Sequence, residues 1–156
     1  MPPVSLASDL AAAVVNYQTP DLLEVAIRSF HRAYPDVRIL VVDNGSQDAS
    51  PALVRDLQAE LGPQVEPLLL ERNVFHGPAM DLALRRLETP YVFFLDSDTE
   101  TLRPGFLEPM AAALAAVETR YGAGQVVHVN RRGFVSPHGT PVLTSWHMLL
   151  KRSLYL

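Results

Sequence analysis

The feature that most restricts the fold of this chain is a regular alternation of short apolar runs with segments of helical periodicity. The apolar runs cover residues 11–16, 37–43, 65–71, 91–96 and 125–129, and the helical segments cover residues 20–34, 51–61, 78–88 and 104–121. Strands that alternate with helices favour a mostly parallel sheet with helices on both faces. We therefore expect an α/β fold, a three-layer sandwich around a mostly parallel central sheet.

Polar side chains stand at the carboxyl ends of four of the predicted strands. They are Asn16, Asp43, Asn73 and Asp96. In open α/β sheets, ligands bind in the crevice beyond the carboxyl ends of the strands. The sequence thus predicts a binding site at this edge of the sheet.

The fourth strand end carries two carboxylates, because the run YVFFLDSDTE at residues 91–100 places Asp96 and Asp98 one residue apart. Desolvating two like charges after a buried strand is costly unless a positive charge lies between them. One or two carboxylates with substrate phosphates are the usual ligands of Mg²⁺, and Mn²⁺ accepts the same oxygen ligands. The pair predicts a Mg²⁺ or Mn²⁺ site for a phosphorylated ligand. The alternative is a solvated turn after an edge strand.

The composition limits the classes of protein to which the chain can belong. A length of 156 residues suits one domain, and 48% hydrophobic with 19% charged residues is typical of a soluble globular protein. No apolar run approaches the roughly 18 residues of a membrane span. The N-terminus lacks the basic start of a signal peptide. Because there is no cysteine, we expect a cytoplasmic protein, with association with the inner face of the membrane left open.

Charge is distributed unevenly along the chain. All 17 acidic residues lie at or before Glu118, whereas residues 119–156 contain five basic residues. That end could contact phosphate or an anionic surface, and chance composition explains it equally well. Because the main body is acidic, we expect no nucleic acid partner.

Four segments resemble, in order, the nucleotide-sugar half of family 2 glycosyltransferases: VVNYQTPDLLEVAIRSF, ILVVDNGSQD, ERNVFHGPAMDLALR and VFFLDSDTE. The DNGSxD turn and the LDSD strand end together carry the specificity of the resemblance. It implies a single GT-A-like (Rossmann-like) domain over residues 1–156, with a donor-binding part at 11–118 and a partial acceptor-side region at 119–156. It also implies inverting transfer of a sugar from a UDP- or dTDP-sugar to an unidentified acceptor, such as a polysaccharide or glycolipid.

The same resemblance implies roles at the first two strand ends. Asn16 and Tyr17 would line the nucleotide pocket, partly through backbone groups. Asp43 would accept a hydrogen bond from the base. The other interpretation of Asp43 is an Asx-turn or a helix cap within DNGS.

Further along, the resemblance implies contacts with the ribose or phosphates. Asn73 and the loop through His76 and Gly77 would approach them, and Asp81 would face the donor. The alternatives are a residue that closes a turn for Asn73, a loop histidine for His76 and a surface position for Asp81.

For the acidic pair, the resemblance implies a division of labour. Asp98 would bind the metal on the diphosphate, and Asp96 would touch the ribose or reach the metal through water. The metal would stabilise the departing nucleoside diphosphate.

Two features depart from the family pattern. Inverting members use a carboxylate in the acceptor-binding half as general base, and no Asp or Glu follows Glu118. The chain is then a truncated form, a small relative or a non-catalytic copy. In the loop NVFHGPAMD, Phe75 replaces the glycine of the commoner Asn-x-Gly form, and Gly77 follows His76.

Two other functions stay open from the sequence. A non-catalytic nucleotide-sugar-binding or assembly module could form a homo-oligomer through the apolar C-terminal segment. A phosphohydrolase of the haloacid dehalogenase type would use Asp96 as nucleophile and Asp98 as acid/base. That motif has Thr or Val where this chain has Glu100. It also normally lies on the first strand, whereas Asp96 and Asp98 follow the fourth predicted strand.

The C-terminal segment WHMLLKRSLYL fits a short helix, although it is apolar on every side. Its His147 is either a histidine packed beside Trp146 or a late metal ligand.

Overall fold

The computed structural model describes residues 4–156. Its strands are β1 (Leu10–Asn16), β2 (Arg38–Asp43), β3 (Val65–Leu69), β4 (Tyr91–Asp96), β5 (Gly122–Val129) and β6 (Thr140–Lys151). Its helices are α1 (Leu6–Asp9), α2 (Pro20–Ala33), α3 (Ser50–Leu61), α4 (His76–Arg86) and α5 (Leu107–Ala115), with 3₁₀ turns at Gly62–Gln64 and Arg152–Leu154. None of these helices is both long and apolar enough to cross a bilayer, a statement that covers residues 4–156.

The strands form one six-stranded sheet in the order β3-β2-β1-β4-β6-β5. The first four strands of the chain are parallel to one another, β6 is antiparallel to β4, and β5 is antiparallel to β6. This mixed α/β architecture with a mostly parallel sheet confirms the predicted fold class. Strand β3 lies at the sheet edge, the position that Pro67 favours because proline cannot donate to a neighbouring strand.

The core has two layers, one on each face of the sheet. On one face, α2, α3 and α5 pack around Phe30 and Phe93, whose rings are stacked with centroids 5.9 Å apart. On the other face, α4 packs on β1 and β2, in a buried cluster that also contains Phe94 of β4. Adjacent residues of β4 therefore enter opposite layers, as the twofold alternation of side chains along a strand requires.

The layer under α4 is built on small side chains near the centre of the sheet. Ala11 and Ala13 of β1 belong to the same buried cluster as Ala79 and Ala83 of α4, and none of the four is exposed. Methyl groups on both elements allow the helix to approach the strand closely.

The strand register brings the predicted polar strand ends to one edge of the sheet. Asn16 at the end of β1 is paired with Asp43 at the end of β2. On the other side of β1, Val15 is paired with Asp96 of β4. Three of the four predicted polar strand ends are thus neighbours across adjacent strands.

The predicted C-terminal helix is wrong, because Trp146 to Lys151 belong to the long strand β6. β6 pairs with β4 and buries Leu149 and Leu150 in opposite core layers. A segment that is apolar on every side fits a strand covered on both faces. Since these leucines are used inside the monomer, the homo-oligomer through this segment stays a prediction.

Helix α5 is also shorter than the predicted 104–121. Its start is fixed by a residue distant in sequence, since the hydroxyl oxygen of Tyr34 accepts backbone hydrogen bonds from residues 105, 106 and 107 at 2.7, 2.9 and 3.2 Å. These N–H groups lie at the helix start, where intrahelical partners are missing.

Neither α2 nor α3 begins with a side-chain cap, although Thr19 and Ser50 are of residue types that often cap helices. Thr19 precedes α2, but its hydroxyl donates to Asn16 Oδ1 (2.8 Å) rather than capping the helix. Ser50 is the first residue of α3, and its own N–H donates to Asp48 Oδ1 at 2.9 Å.

Candidate active site

A cleft of about 410 Å³ lies at the carboxyl edge of β1, β2 and β4. Its walls come from the segments that follow four successive strands of the chain. The lining residues are Val15, Tyr17, Thr19, Leu22, Asn44, Asn73, Phe75, His76, Asp96, Ser97 and Asp98. Five of these were predicted from the sequence: Tyr17, Asn73, His76, Asp96 and Asp98.

Beneath the cleft, Asn16 and Asp43 form a buried polar contact. Asn16 Nδ2 donates to Asp43 Oδ1 at 3.0 Å, and the N–H of Ser46 donates to the other carboxylate oxygen at 3.1 Å. Asp43 is only 1% exposed and is not among the lining residues. Its carboxylate supports the turn after β2 in this structure, and its contact with a base stays a prediction.

The turn after β2 is hydrogen-bonded to the loop after β3. Asn44 Nδ2 donates to Asn73 Oδ1 (3.1 Å), and Asn44 Oδ1 accepts the N–H of Val74 (2.9 Å). Gly45 has a φ of +76°, and a Cβ there would lie 2.3 Å from the carbonyl carbon of Arg72. No other residue fits at position 45 without moving the loop, so the glycine of DNGS is a packing requirement.

The acidic turn after β4 forms the opposite wall. Burial raises the pKa of Asp96, His76 opposes this shift, and Asp98 adds to it. The hydroxyl of Thr99 donates to the carbonyl oxygen of Asp96 at 2.8 Å. Asp96 and Asp98 together place an excess of negative charge in the cleft.

A hydroxyl contact ties this turn to the start of α2. Thr19 Oγ1 and Ser97 Oγ lie 3.1 Å apart. Thr19 also donates to the buried side-chain amide of Asn16. Hydrogen bonds therefore connect Asn16, Thr19 and the acidic turn. Ser97, which lies between the two acidic residues, is thus linked to β1 through these polar groups.

Two predicted donor-facing residues lie outside the lining of the cleft. Gly77 is exposed in the first turn of α4. Asp81, one turn further, accepts a hydrogen bond of 2.8 Å from Arg85 Nε. The structure brings neither of them into the cleft, and their contact with a donor stays a prediction.

A second, smaller cleft of about 230 Å³ lies on the other side of the acidic turn. Its lining residues are Phe93, Leu95, Thr99, Glu100, Thr101, Leu102, Arg103, Phe106, Trp146 and His147. The ring of His147 is 5.1 Å from those of both Phe93 and Phe106. His147 is thus a packed aromatic neighbour, and no group of three or more His, Asp or Glu positioned for a metal ion occurs within residues 4–156.

Sequence reasoning missed several lining residues. Asn44 and Ser97 are immediate neighbours of predicted site residues within DNGS and DSD, so the motifs themselves could have identified them. Thr19 and Leu22 carry no such signal, because their contact with the cleft depends on where α2 begins. The second cleft needs β6 beside β4, a pairing that the sequence pattern did not show.

The sequence profile of Glycosyl transferase family 2 matches residues 12–155. The chain belongs to this family of glycosyltransferases. The match includes both clefts and all six strands except the first two residues of β1. Membership leaves no support for the phosphohydrolase hypothesis.

Two curated proteins are similar to parts of the chain. The chain is 30% identical over 139 residues to the succinoglycan biosynthesis protein ExoO of Rhizobium meliloti, covering 88% of this chain and 37% of ExoO. It is 34% identical over 65 residues to the teichoic acid poly(glycerol phosphate) polymerase of Staphylococcus epidermidis, covering 42% of this chain and 9% of that protein.

Among solved structures, the mannosyltransferase PcManGT of Pyrobaculum calidifontis, in complex with GDP-Man and Mn²⁺, shares the fold. The TM-score is 0.71 at 20% identity, and the alignment covers 94% of this chain and 45% of that one. The chain spans less than half the length of each of these three relatives.

Proposed function

We propose that this chain binds a nucleoside-diphosphate sugar through a divalent cation and transfers the sugar to an acceptor with inversion. The observation that carries the proposal is the charge of the larger cleft. Asp96 and Asp98 line it, and none of its lining residues is Lys or Arg. A diphosphate in this cleft would face carboxylates without a fixed cationic partner, so a dication is needed between them.

The donor atoms suit Mg²⁺ or Mn²⁺. These cations prefer oxygen ligands, and Mg²⁺ is commonly held by one or two carboxylates with substrate phosphates and water. The raised pKa of Asp96 reflects an unfavourable ionised state that a nearby cation would relieve. The Mn²⁺ and GDP-Man of PcManGT, which has the same fold, further support this assignment.

Four residues of the cleft have a role in this proposal. Asp98 and Asp96 hold the cation, which supplies neutralisation of charge on the departing diphosphate. His76 is near enough to Asp96 to influence its pKa, and it can donate a hydrogen bond to a phosphate oxygen. Tyr17 lines the end of the cleft at β1, where we place the nucleoside.

We place the acceptor in the second cleft. Thr99 and Glu100 in its lining follow directly after Asp98 of the larger cleft, which we name the donor cleft, so a hydroxyl bound there would approach the donor from beside the acidic turn. Phe106 and Trp146 offer apolar surfaces suited to the faces of a sugar ring. Glu100 is the carboxylate among its lining residues and is our candidate for the general base.

The test is a binding panel of UDP, dTDP and GDP, each with and without Mn²⁺, on wild type and Asp98→Asn. Binding that stabilises the folded state raises the melting temperature. We expect a shift with one of these nucleotides that requires Mn²⁺ and is lost in Asp98→Asn. The control variant Asp56→Asn, exposed on α3 outside both clefts, should keep it. Equal shifts in Asp98→Asn and wild type would contradict the proposal.

A non-catalytic nucleotide-sugar-binding module is the second candidate, favoured because residues 119–156 contain no Asp or Glu that could act as general base. It predicts the same Mn²⁺-dependent binding. Release of nucleoside diphosphate from a bound donor separates the two, since a binding module releases none.

A further inference from the structure

Phe75 combines two unfavourable properties at the rim of the donor cleft. Its φ is +69° with ψ of 164°, a backbone region that is essentially restricted to glycine. Its side chain is also 79% exposed, although it is a large apolar group. Neither property contributes to packing, so the core does not explain why a phenylalanine stands here.

The neighbouring residues hold this strained backbone in place. The N–H of Phe75 donates to Asn73 Oδ1 at 2.7 Å, and its carbonyl oxygen accepts the N–H of Ala79 at 3.2 Å in the first turn of α4. Asn73 Oδ1 is itself fixed by the amide of Asn44 at 3.1 Å. Strain that persists because its surroundings fix it is a marker of functional positions.

The place of the ring in the cleft indicates what it could bind. Phe75 lines the same cleft as the acidic pair and Tyr17. A phenyl ring has no hydrogen-bond donor for a phosphate and no oxygen ligand for a metal ion. It offers a flat apolar face, and the largest flat group of a nucleotide sugar is its base.

We propose that the ring of Phe75 is a stacking surface for the nucleobase of the donor, presented to the cleft by a strained backbone. The proposal rests on the proposed nucleotide-sugar function and adds which group of the ligand Phe75 recognises. Phe75 is a binding residue in this account and takes no part in bond breaking. Replacing it by glycine should therefore raise stability and lower nucleotide affinity.

The experiment compares Phe75→Gly, Phe75→Ala and Phe75→Trp with wild type, with Phe134→Ala as control. Phe134 is also largely exposed but lies between β5 and β6 without a positive φ. Affinities are measured by calorimetry for the nucleoside diphosphate that wild type binds with Mn²⁺, and for inorganic pyrophosphate with Mn²⁺.

Loss of the ring in the glycine and alanine variants should weaken nucleoside diphosphate binding by about tenfold or more, as for other base–aromatic stacks. Phe75→Trp should retain the affinity, and pyrophosphate binding should be the same in all variants. Without ligand, Phe75→Gly should melt roughly 2–4 °C higher because the strain is relieved. Phe75→Ala should show no such gain because alanine keeps the strain.

The outcomes separate this proposal from the one on which it rests. If wild type binds none of the nucleoside diphosphates, the proposed function fails and this inference fails with it. If wild type binds but the ring-less variants bind equally well, the stacking role alone is overturned. An equal loss of nucleoside diphosphate and pyrophosphate would also overturn it, because the ring would then act on the phosphate end.

Discussion

The side chain of Asn16 donates a hydrogen bond of 3.0 Å to the carboxyl group of Asp43, and both residues are almost completely buried. The bond joins the ends of two adjacent parallel strands at the edge of the sheet where the larger cleft lies. It therefore couples the stability of the sheet to the position of the turn that follows β2.

Replacing Asn16 by alanine should leave the Asp43 carboxyl short of a donor in a buried position. Removing one partner of a buried hydrogen bond costs roughly 1–3 kcal/mol. We expect a loss of that size in the free energy of unfolding, measured with urea. Gln58→Ala on the exposed side of α3 is the control, and equal stability of both variants would show that the Asn16–Asp43 contact is unimportant.

Alanine at Gly45 should destabilise the fold through two separate effects. Its φ of +76° disfavours alanine, and the new Cβ would lie 2.3 Å from the backbone of Arg72. Gly133→Ala isolates the first effect, since Gly133 has a φ of +82° and a Cβ added there would have no neighbouring atom within 4 Å. Strain at such a φ costs about 1–3 kcal/mol, and we expect Gly45→Ala to lose clearly more than Gly133→Ala in the same unfolding assay.

Removing the hydroxyl of Tyr34 should destabilise the start of α5. Tyr34→Phe leaves three backbone N–H groups at residues 105–107 without this acceptor. We expect a loss of about 1–3 kcal/mol in the free energy of unfolding. Relative to wild type, Tyr34→Phe should show faster amide hydrogen exchange at the start of α5 and unchanged exchange in α3. Tyr121→Phe, at an exposed site, is the control, and unchanged exchange in Tyr34→Phe would speak against the cap.

Neutralising Asp96 should stabilise the protein without ligand. Burial raises its pKa above 3.8, so the folded protein holds this proton more tightly than the unfolded chain does. Stability is therefore lost as pH rises from 3.8 through the folded pKa, and Asp96→Asn removes that loss. Thermal melts without ligand should place Asp96→Asn above wild type at neutral pH, with the difference shrinking as the pH falls.

The same shift sets the direction of the pH dependence of binding. A cation needs the ionised carboxylate, so Mn²⁺-dependent nucleotide affinity should fall as the pH drops through the raised pKa of Asp96. Calorimetry across this range measures it. A rise in affinity at low pH, or a gain in stability from Asp56→Asn equal to that from Asp96→Asn, would be inconsistent with the assigned cause.

The sequence was informative where one property decides the structure. Apolar runs that end in Asn16, Asp43 and Asp96 predicted both the strands and the edge where a site forms, because burial and polarity change at the same residue. The sequence analysis took the segment of β6 for a helix and placed the start of α5 too early, and both features depend on distant partners. Strand β6 needs the free side of β4, and α5 begins where Tyr34, about 70 positions earlier, supplies an acceptor.

The site shows the same division. The acidic pair and the loop containing His76 could be predicted because their motifs are local. The burial of Asp43 and the positive φ of Phe75 could not, since both arise from how the turn after β2 meets the loop after β3. The residue types alone do not indicate that this turn and this loop are in contact.

The alanines packed between β1 and α4 set how closely α4, which contributes His76 to the larger cleft, approaches the sheet. His76 and Phe75 stand at the N-terminal end of α4, whose spacing from the sheet is set by Ala79 and Ala83 against β1. One added methylene at Ala79 would act as a wedge, tilting the helix and its two cleft residues together. We therefore expect a bulkier side chain at Ala79 to change which ligands the cleft accepts, with every cleft-lining group left chemically intact.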